Sequence, residues 1–215
     1  YPLLEDHTAN EFLQEIEDAK DHGYLDMMDG LYSLGYHPWY IRPEDIDREL
    51  ELFQKAIKMT RLVGEIGLDY TDPRLEKVDK ETQLRTYREI LKMTIEEAKK
   101  RPGDKPFVLS IHAVWSIDDI LDIHEELKLS ENGIAPIFHR FNGNSDQLTR
   151  HVRQGGYISI FPPSLEVKKI RAYVGQVPKD RILLETDLPD REIPRDKEID
   201  TEKVSQGLAD YLKKE

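Results

Sequence analysis

The sequence predicts an α/β protein built on a parallel sheet with helical crossovers. Three observations predict it. Polar stretches with helical periodicity alternate with short apolar runs along the whole chain, Gly or Pro punctuates the runs, and no repeat or low-complexity tract interrupts the alternation.

The first helix is expected over residues 9–22. Thr8 and Glu11 form a capping-box pattern, Phe12, Leu13, Ile16 and Ala19 follow at helical spacing, and Gly23 stands where a C-terminal cap belongs. Three more helices are predicted by apolar stripes: Ile46, Leu50, Phe53 and Ile57; Leu84, Tyr87, Leu91, Ile95 and Ala98; and Ile117, Ile120, Leu121 and Leu127 behind a Ser116 cap. Others are expected over 145–154, 165–174 and 201–213. The strands between them are 31–36, 62–66, 107–111, 135–138, 157–160 and 182–184.

A weaker strand candidate, 25–28, is separated from the next by Asp29 and Gly30 alone. Parallel neighbours need a crossover of about a dozen residues or more. A hairpin through the Asp-Gly turn is one resolution. The favoured one is that a helix is missing, because an internal hairpin would keep a barrel from closing in register. The expectation is a single domain over 1–215 forming an incomplete TIM-type (β/α) barrel. Its 215 residues are somewhat fewer than the roughly 250 usual for that fold. The chain starts at Tyr1 and not at Met, and its start is expected to be truncated.

A composition of 38% hydrophobic and 34% charged residues is that of a soluble globular protein. No apolar run is long enough to span a bilayer and no signal-peptide pattern is visible, so no membrane role and a cytoplasmic location are expected. Without cysteine, any metal has to be held by His, Asp and Glu. A net charge of −12 argues against wrapping DNA on a broad basic face, so a nucleic-acid substrate would be gripped locally.

Polar residues fall where strands end. Glu65 lies near the end of 62–66, His112 follows 107–111, His139 follows 135–138, His37 follows 31–36, and Asp187 closes the run after 182–184. In a parallel barrel all C-terminal strand ends point to one rim, so these five side chains are expected to share one mouth. The donor set suits Zn, Mn or Fe, and Glu65 is the carboxylate placed to bridge two ions. Such a pair would activate water, with Asp187 binding one ion and accepting the proton. Hydrolysis without a covalent intermediate is expected, since neither a cysteine nor a Gly-x-Ser-x-Gly elbow is present.

Five blocks, Gly35-Tyr36-His37-Pro38-Trp39, Gly64-Glu65-Ile66-Gly67-Leu68-Asp69, Ser110-Ile111-His112, Phe138-His139-Arg140-Phe141-Asn142-Gly143 and Leu184-Glu185-Thr186-Asp187-Leu188-Pro189, resemble in order the signatures of TatD-like metal-dependent hydrolases. The resemblance spans most of the chain. It implies a barrel of the amidohydrolase superfamily, two divalent ions (Zn, Mn, Mg or Fe) and a deoxyribonuclease or related phosphodiesterase activity. Its partner would be nucleic acid or a small phosphodiester, with no obligate protein partner. By this resemblance Glu65, His112, His139 and Asp187 are metal ligands, Asp187 and Glu65 the catalytic pair, and His37 faces the scissile phosphate.

There are departures. The His-x-His that usually ends the family's first strand does not precede Tyr1, so a first strand is expected to be missing along with the second helix. An arginine common two residues after the third-block histidine is Val114 here, and Arg140 is the candidate replacement for phosphate binding. A different hydrolytic specificity (amide, lactone or aminoacyl ester) or a degenerate binding barrel are the alternatives. Asp69 and Tyr70 are read as structural, Trp115 as helix packing, His22, His124 and His151 as solvated helix-surface residues, and 190–202 as an exposed acidic connection.

Overall fold

Apolar residues at helical spacing become the buried stripes of helices laid on a parallel sheet. The computed structural model describes residues 9–22, 33–103 and 105–185. In chain order these form α1 (Ala9–Asp21), β1 (Leu34–Tyr36), α2 (Ile46–Ala56), β2 (Leu62–Asp69), the single turn α3 (Asp72–Leu75), α4 (Lys80–Lys100) and β3 (Phe107–Val114). Then come α5 (Ile117–Leu127), β4 (Ile134–Phe138), α6 (Ser145–Arg153), β5 (Tyr157–Ile160), α7 (Lys168–Val174) and β6 (Ile182–Leu184).

The strands pair in sequence order, β1 to β6, every pair parallel. This is the strand order of a (β/α) barrel, and among the described residues the sheet stays open between β1 and β6. No helix among the described residues is long and apolar enough to cross a membrane.

Local chemistry fixes the crossover helices. Asp79 caps α4 by accepting from Thr82 N at 2.8 Å, and Tyr87, Ile90, Leu91 and Ile95 bury one stripe of it. Asn144 and Gln147 make a reciprocal capping box on α6. Ser116 stands at the start of α5, yet its hydroxyl donates to Leu68 O at 2.9 Å, so it ties α5 to β2 instead of capping as expected.

Two arginines fasten the N-terminal end of the sheet. The Arg61 and Arg101 guanidiniums both lie on the Phe107 ring, at 5.1 and 4.7 Å. Arg101 also donates to Ile57 O and Thr60 O and pairs with Glu97 at 3.0 Å.

Several boundaries differ from the sequence expectation. β1 begins at Leu34, β2 runs on to Asp69, β3 runs on to Val114, and α7 begins at Lys168 after a 3-10 segment. The Thr8 cap, Gly23, the segment 25–28 with its turn, the acidic stretch 190–202 and the helix 201–213 lie outside the described residues.

The surface reading of two histidines is corrected. His124 and His151 are 2% and 0% exposed. Both pack on Phe138, His124 Nε2 is hydrogen-bonded to the Tyr87 hydroxyl at 2.7 Å, and His151 Nε2 donates to Tyr157 O at 2.8 Å. Burial pushes both imidazoles down, His151 to about 4.

Neutral imidazole is therefore the folded form, while the unfolded chain takes up these protons below the ordinary value of 6.5. The stability they provide is complete above that pH and falls as the solution is acidified toward 4. Each histidine contributes a slope of roughly 1.4 kcal/mol per pH unit. Urea unfolding of metal-free protein is expected to lose stability between pH 6.5 and 5, and His151→Leu to flatten that slope; a flat wild-type profile would contradict the burial of both rings.

Candidate metal centre

The register of the sheet assembles the site. Tyr36, Ile66, Ile111, Phe138 and Ile158 form one row of paired residues across β1 to β5. One residue further along the strands the next row is His37, Gly67, His112, His139 and Ser159, in which the pairing of Gly67 with His112 is direct. Because side chains alternate across a strand, this row projects to the face opposite the buried Ile66, Ile111 and Phe138. Three imidazoles thus stand in one layer.

Glu65 and Asp69 flank that layer from β2. A register shift between Val63 and Ile66 accompanies the placement of Glu65. Glu65 Oε1 lies 3.0 Å from His112 Nδ1, 2.6 Å from His139 Nε2 and 3.5 Å from His37 Nε2. His139 Nε2 is 3.5 Å from His112 Nδ1. A tetrahedral ion with bonds of ~2.0–2.1 Å keeps its ligand atoms roughly 3.3 Å apart, so these spacings match the edges of a coordination shell. His37, Glu65 and His112 form a set whose donor atoms all fall within 4.8 Å of one another.

Glycine is required between the two carboxylates. Gly67 has a φ of +149°, and a Cβ on it would overlap the carbonyl oxygen of His112. Gly64, at φ +143°, would place a Cβ 2.6 Å from Ser110 Cβ. The backbones of β2 and β3 meet without room for a methyl group, and that contact holds His112 against Glu65.

The electrostatics are those of a coupled cluster. Burial works against a charged Glu65, but hydrogen bonds from His112, His139 and His37 overcome it and hold the carboxyl far below its usual range. Burial opposes a charged His112 as well, and there the carboxylates of Asp69 and Glu65 win, raising it to about 9. His139 is raised too: burial opposes its charge, and the bond and charge of Glu65 prevail. His37 goes the other way, because burial outweighs its weaker contact with Glu65. A cation entering such a site displaces imidazole protons.

The structure brings together four of the residues singled out in the sequence, His37, Glu65, His112 and His139. Two of them are not at strand ends as expected: Glu65 is inside β2 and His112 inside β3. Arg140 stands beside the cluster, with a φ of +42°, its backbone N donating to Glu185 Oε1 at 2.8 Å and its guanidinium 5.7 Å from the Phe161 ring centre. Asp187 lies outside the described residues.

Two contributors to the cluster were missed or misread, and the reading of one residue outside it is corrected. Asp69, read as structural, is 2% exposed and contacts His112 Nε2 at 3.1 Å. Glu185 lies 3.8 Å from His139 Nδ1 and accepts from Ser159 Oγ at 2.5 Å. Its signal was its position just past β6, two residues before Asp187. Trp115, read as packing, is 74% exposed at the end of β3. Tyr70 is structural as expected, its hydroxyl donating to Asp119 at 2.7 Å.

The model of the TatD-related DNase family matches residues 10–213. The chain belongs to the TatD-related DNase family. Its TatD-type relatives include a putative deoxyribonuclease of Danio rerio, 28% identical over 187 residues, or 84% of this chain and 65% of the relative. A deoxyribonuclease Tat-D of Schizosaccharomyces pombe is 29% identical over 73% of this chain and 50% of its own length. An uncharacterized metal-dependent hydrolase of Bacillus subtilis is 27% identical over 77% and 61%. The chain thus spans about half to two thirds of these relatives.

Among solved TatD folds, a TatD homologue of Escherichia coli superposes with a TM-score of 0.66 at 23% identity, over 84% of this chain and 67% of the other. A TatD-family hydrolase of Entamoeba histolytica gives 0.60 at 28% identity, over 86% and 60%. The six-stranded parallel sheet is accordingly a portion of the TatD barrel.

Gly67→Ala is expected to cost on the order of 3 kcal/mol or more, because both the φ and the interstrand gap exclude a methyl group. Gly103, where an added Cβ meets nothing within 4 Å, is the control and should change little. Equal urea midpoints for the two variants would show that β2 and β3 do not approach this closely.

Proposed function

We propose that this TatD-family chain is a metal-dependent hydrolase that cleaves phosphodiesters, with nucleic acid as the substrate class. The observation that carries the reading is the convergence of Glu65, His112 and His139 on one another within 3.5 Å, at the spacing of a coordination shell. The names of the deoxyribonuclease and metal-dependent hydrolase relatives support it.

In this reading Glu65, His112, His139 and Asp187 would hold the metal, two divalent ions drawn from Zn, Mn, Mg or Fe, with Glu65 as the carboxylate shared between them. Bound there, the ions supply Lewis acidity, polarising a phosphoryl group and acidifying a water molecule. The chain's own groups supply position and proton handling. His37 Nδ1 accepts from Trp39 N at 3.1 Å, so its proton sits on Nε2, which faces Glu65. A neutral imidazole so oriented donates to a phosphoryl oxygen without competing for metal charge. Asp187 is the proposed proton acceptor.

In this reading two arginines would serve the phosphate, Arg140, which follows His139 in the chain, and Arg74, which reaches the cluster through Trp39. Arg140 is held on Phe161, and Arg74 lies 4.1 Å from the Trp39 ring centre. The indole of Trp39 in turn stands edge-on to His37 at 5.2 Å. In a chain with a net charge of −12 these guanidiniums provide the local grip on an anion.

The test is metal content and turnover of the full chain. Hydrolysis of bis(p-nitrophenyl) phosphate is expected to vanish with chelator and return with Zn or Mn. Glu65→Gln and His139→Ala should lower it by about 100-fold or more. Metal-dependent turnover of amide or lactone substrates alone would replace the phosphodiester by that chemistry. Occupancy well below one ion per chain in excess metal, without turnover, would instead mark a binding barrel.

A further inference from the structure

The Asp69 carboxylate has four hydrogen-bonding partner atoms beside the proposed metal centre, and the proposed function gives it no role. Its backbone N donates to Gln83 Oε1 at 2.9 Å, while Gln83 Nε2 returns bonds to Asp69 O at 2.9 Å and Val78 O at 3.1 Å. Gln83 is 1% exposed and sits on α4, so a helix of the outer layer clamps the end of β2. The carboxylate is then held on both sides. Oδ1 accepts from Thr71 N at 2.9 Å and from Thr71 Oγ1 at 2.7 Å. Oδ2 accepts from Trp39 Nε1 at 2.6 Å and meets His112 Nε2 at 3.1 Å.

The donor inventory decides what this network can do. A peptide N–H and an indole N–H can only donate. Bonds from Thr71 N, Thr71 Oγ1 and Trp39 Nε1 favour the anionic carboxylate, and an anion has no proton to present, so the hydrogen between Asp69 and His112 sits on Nε2. The other ring nitrogen, Nδ1, is the one that points at Glu65 and lies 3.5 Å from His139 Nε2.

We propose that Asp69 is a positioning residue that fixes the tautomer and ring orientation of His112, leaving the Nδ1 lone pair as its metal donor. The proposal rests on the metal-centre reading above. It also ties the mouth to the centre, because one oxygen, Oδ2, holds both His112 and Trp39. An amide cannot take this place. With its oxygen toward Thr71, an asparagine sets its NH2 against the indole N–H and against Nε2, which then becomes an acceptor and moves the ring proton to Nδ1. With its oxygen toward His112, the NH2 faces the Thr71 N–H.

Two measurements on the full chain test this without relying on turnover. In the zinc-loaded protein labelled with 15N-histidine, two-bond 1H–15N spectra are expected to show His112 protonated at Nε2 and zinc-bound at Nδ1; zinc on Nε2 overturns the proposal, even should no variant fold. Zinc titration of Asp69→Asn should show a 10–100-fold loss of affinity at unchanged secondary structure. Thr71→Val, which removes one donor and keeps the anion, should lower thermal stability while holding zinc affinity near the wild-type value. Tight zinc binding by folded Asp69→Asn, or equal weakening in both variants, overturns the proposal alone. Failure of the wild type to bind zinc removes the metal-centre reading and this inference with it.

Discussion

The site depends on parallel register. His37, His112 and His139 come from three strands and are separated by up to 102 positions in number, yet each lies one residue beyond the same hydrogen-bonded row of Tyr36, Ile66, Ile111 and Phe138. A slip of one residue in any strand would turn its imidazole to the opposite face, among the helices. The register is specified from below by large buried side chains, Leu34, Val63, Leu109 and Phe138, which have nowhere else to go. The chemistry at one end of the sheet is therefore a consequence of apolar packing one layer beneath it. Phe107, gripped by Arg61 and Arg101 at the other end, anchors the same strand that carries His112.

The charges gathered there are tolerable only together. A buried carboxylate or imidazolium alone would shed its charge. Glu65 stays ionised because three imidazoles face it, and His112 gains its proton because carboxylates flank it on two sides. Removing one partner leaves another uncompensated, so substitutions in this layer are expected to couple strongly.

Much of the architecture was legible in the sequence because helix stripes such as Tyr87, Leu91 and Ile95 repeat at a period that only one structure satisfies. The strand ends were less so. The expected strands ended at Ile66, before a glycine, and at Ile111, before a histidine, three residues early in each. The reason is physical: strands that line a polar mouth carry polar residues inside their own length, so polarity marks a change of surroundings and not the end of pairing. His37 and His139, which do follow their strands, were placed correctly. His124 was misread because histidine is polar, although it continues the stripe of Ile117, Ile120 and Leu121 at helical spacing, which was the available signal. Asp69 stands two and four residues from Gly67 and Glu65, a period-two pattern that assigns it to their face once β2 is known to continue.

Gly67 shows how far the demands of such a site extend. It lies between two carboxylates that both reach one imidazole, and it offers no group to either. Its contribution is an emptiness into which the neighbouring main chain settles, bringing two strands closer than any side chain would permit. A position without functional chemistry is thereby specified as narrowly as the acids beside it, and redesign of this centre has to treat that vacant volume as one of its components.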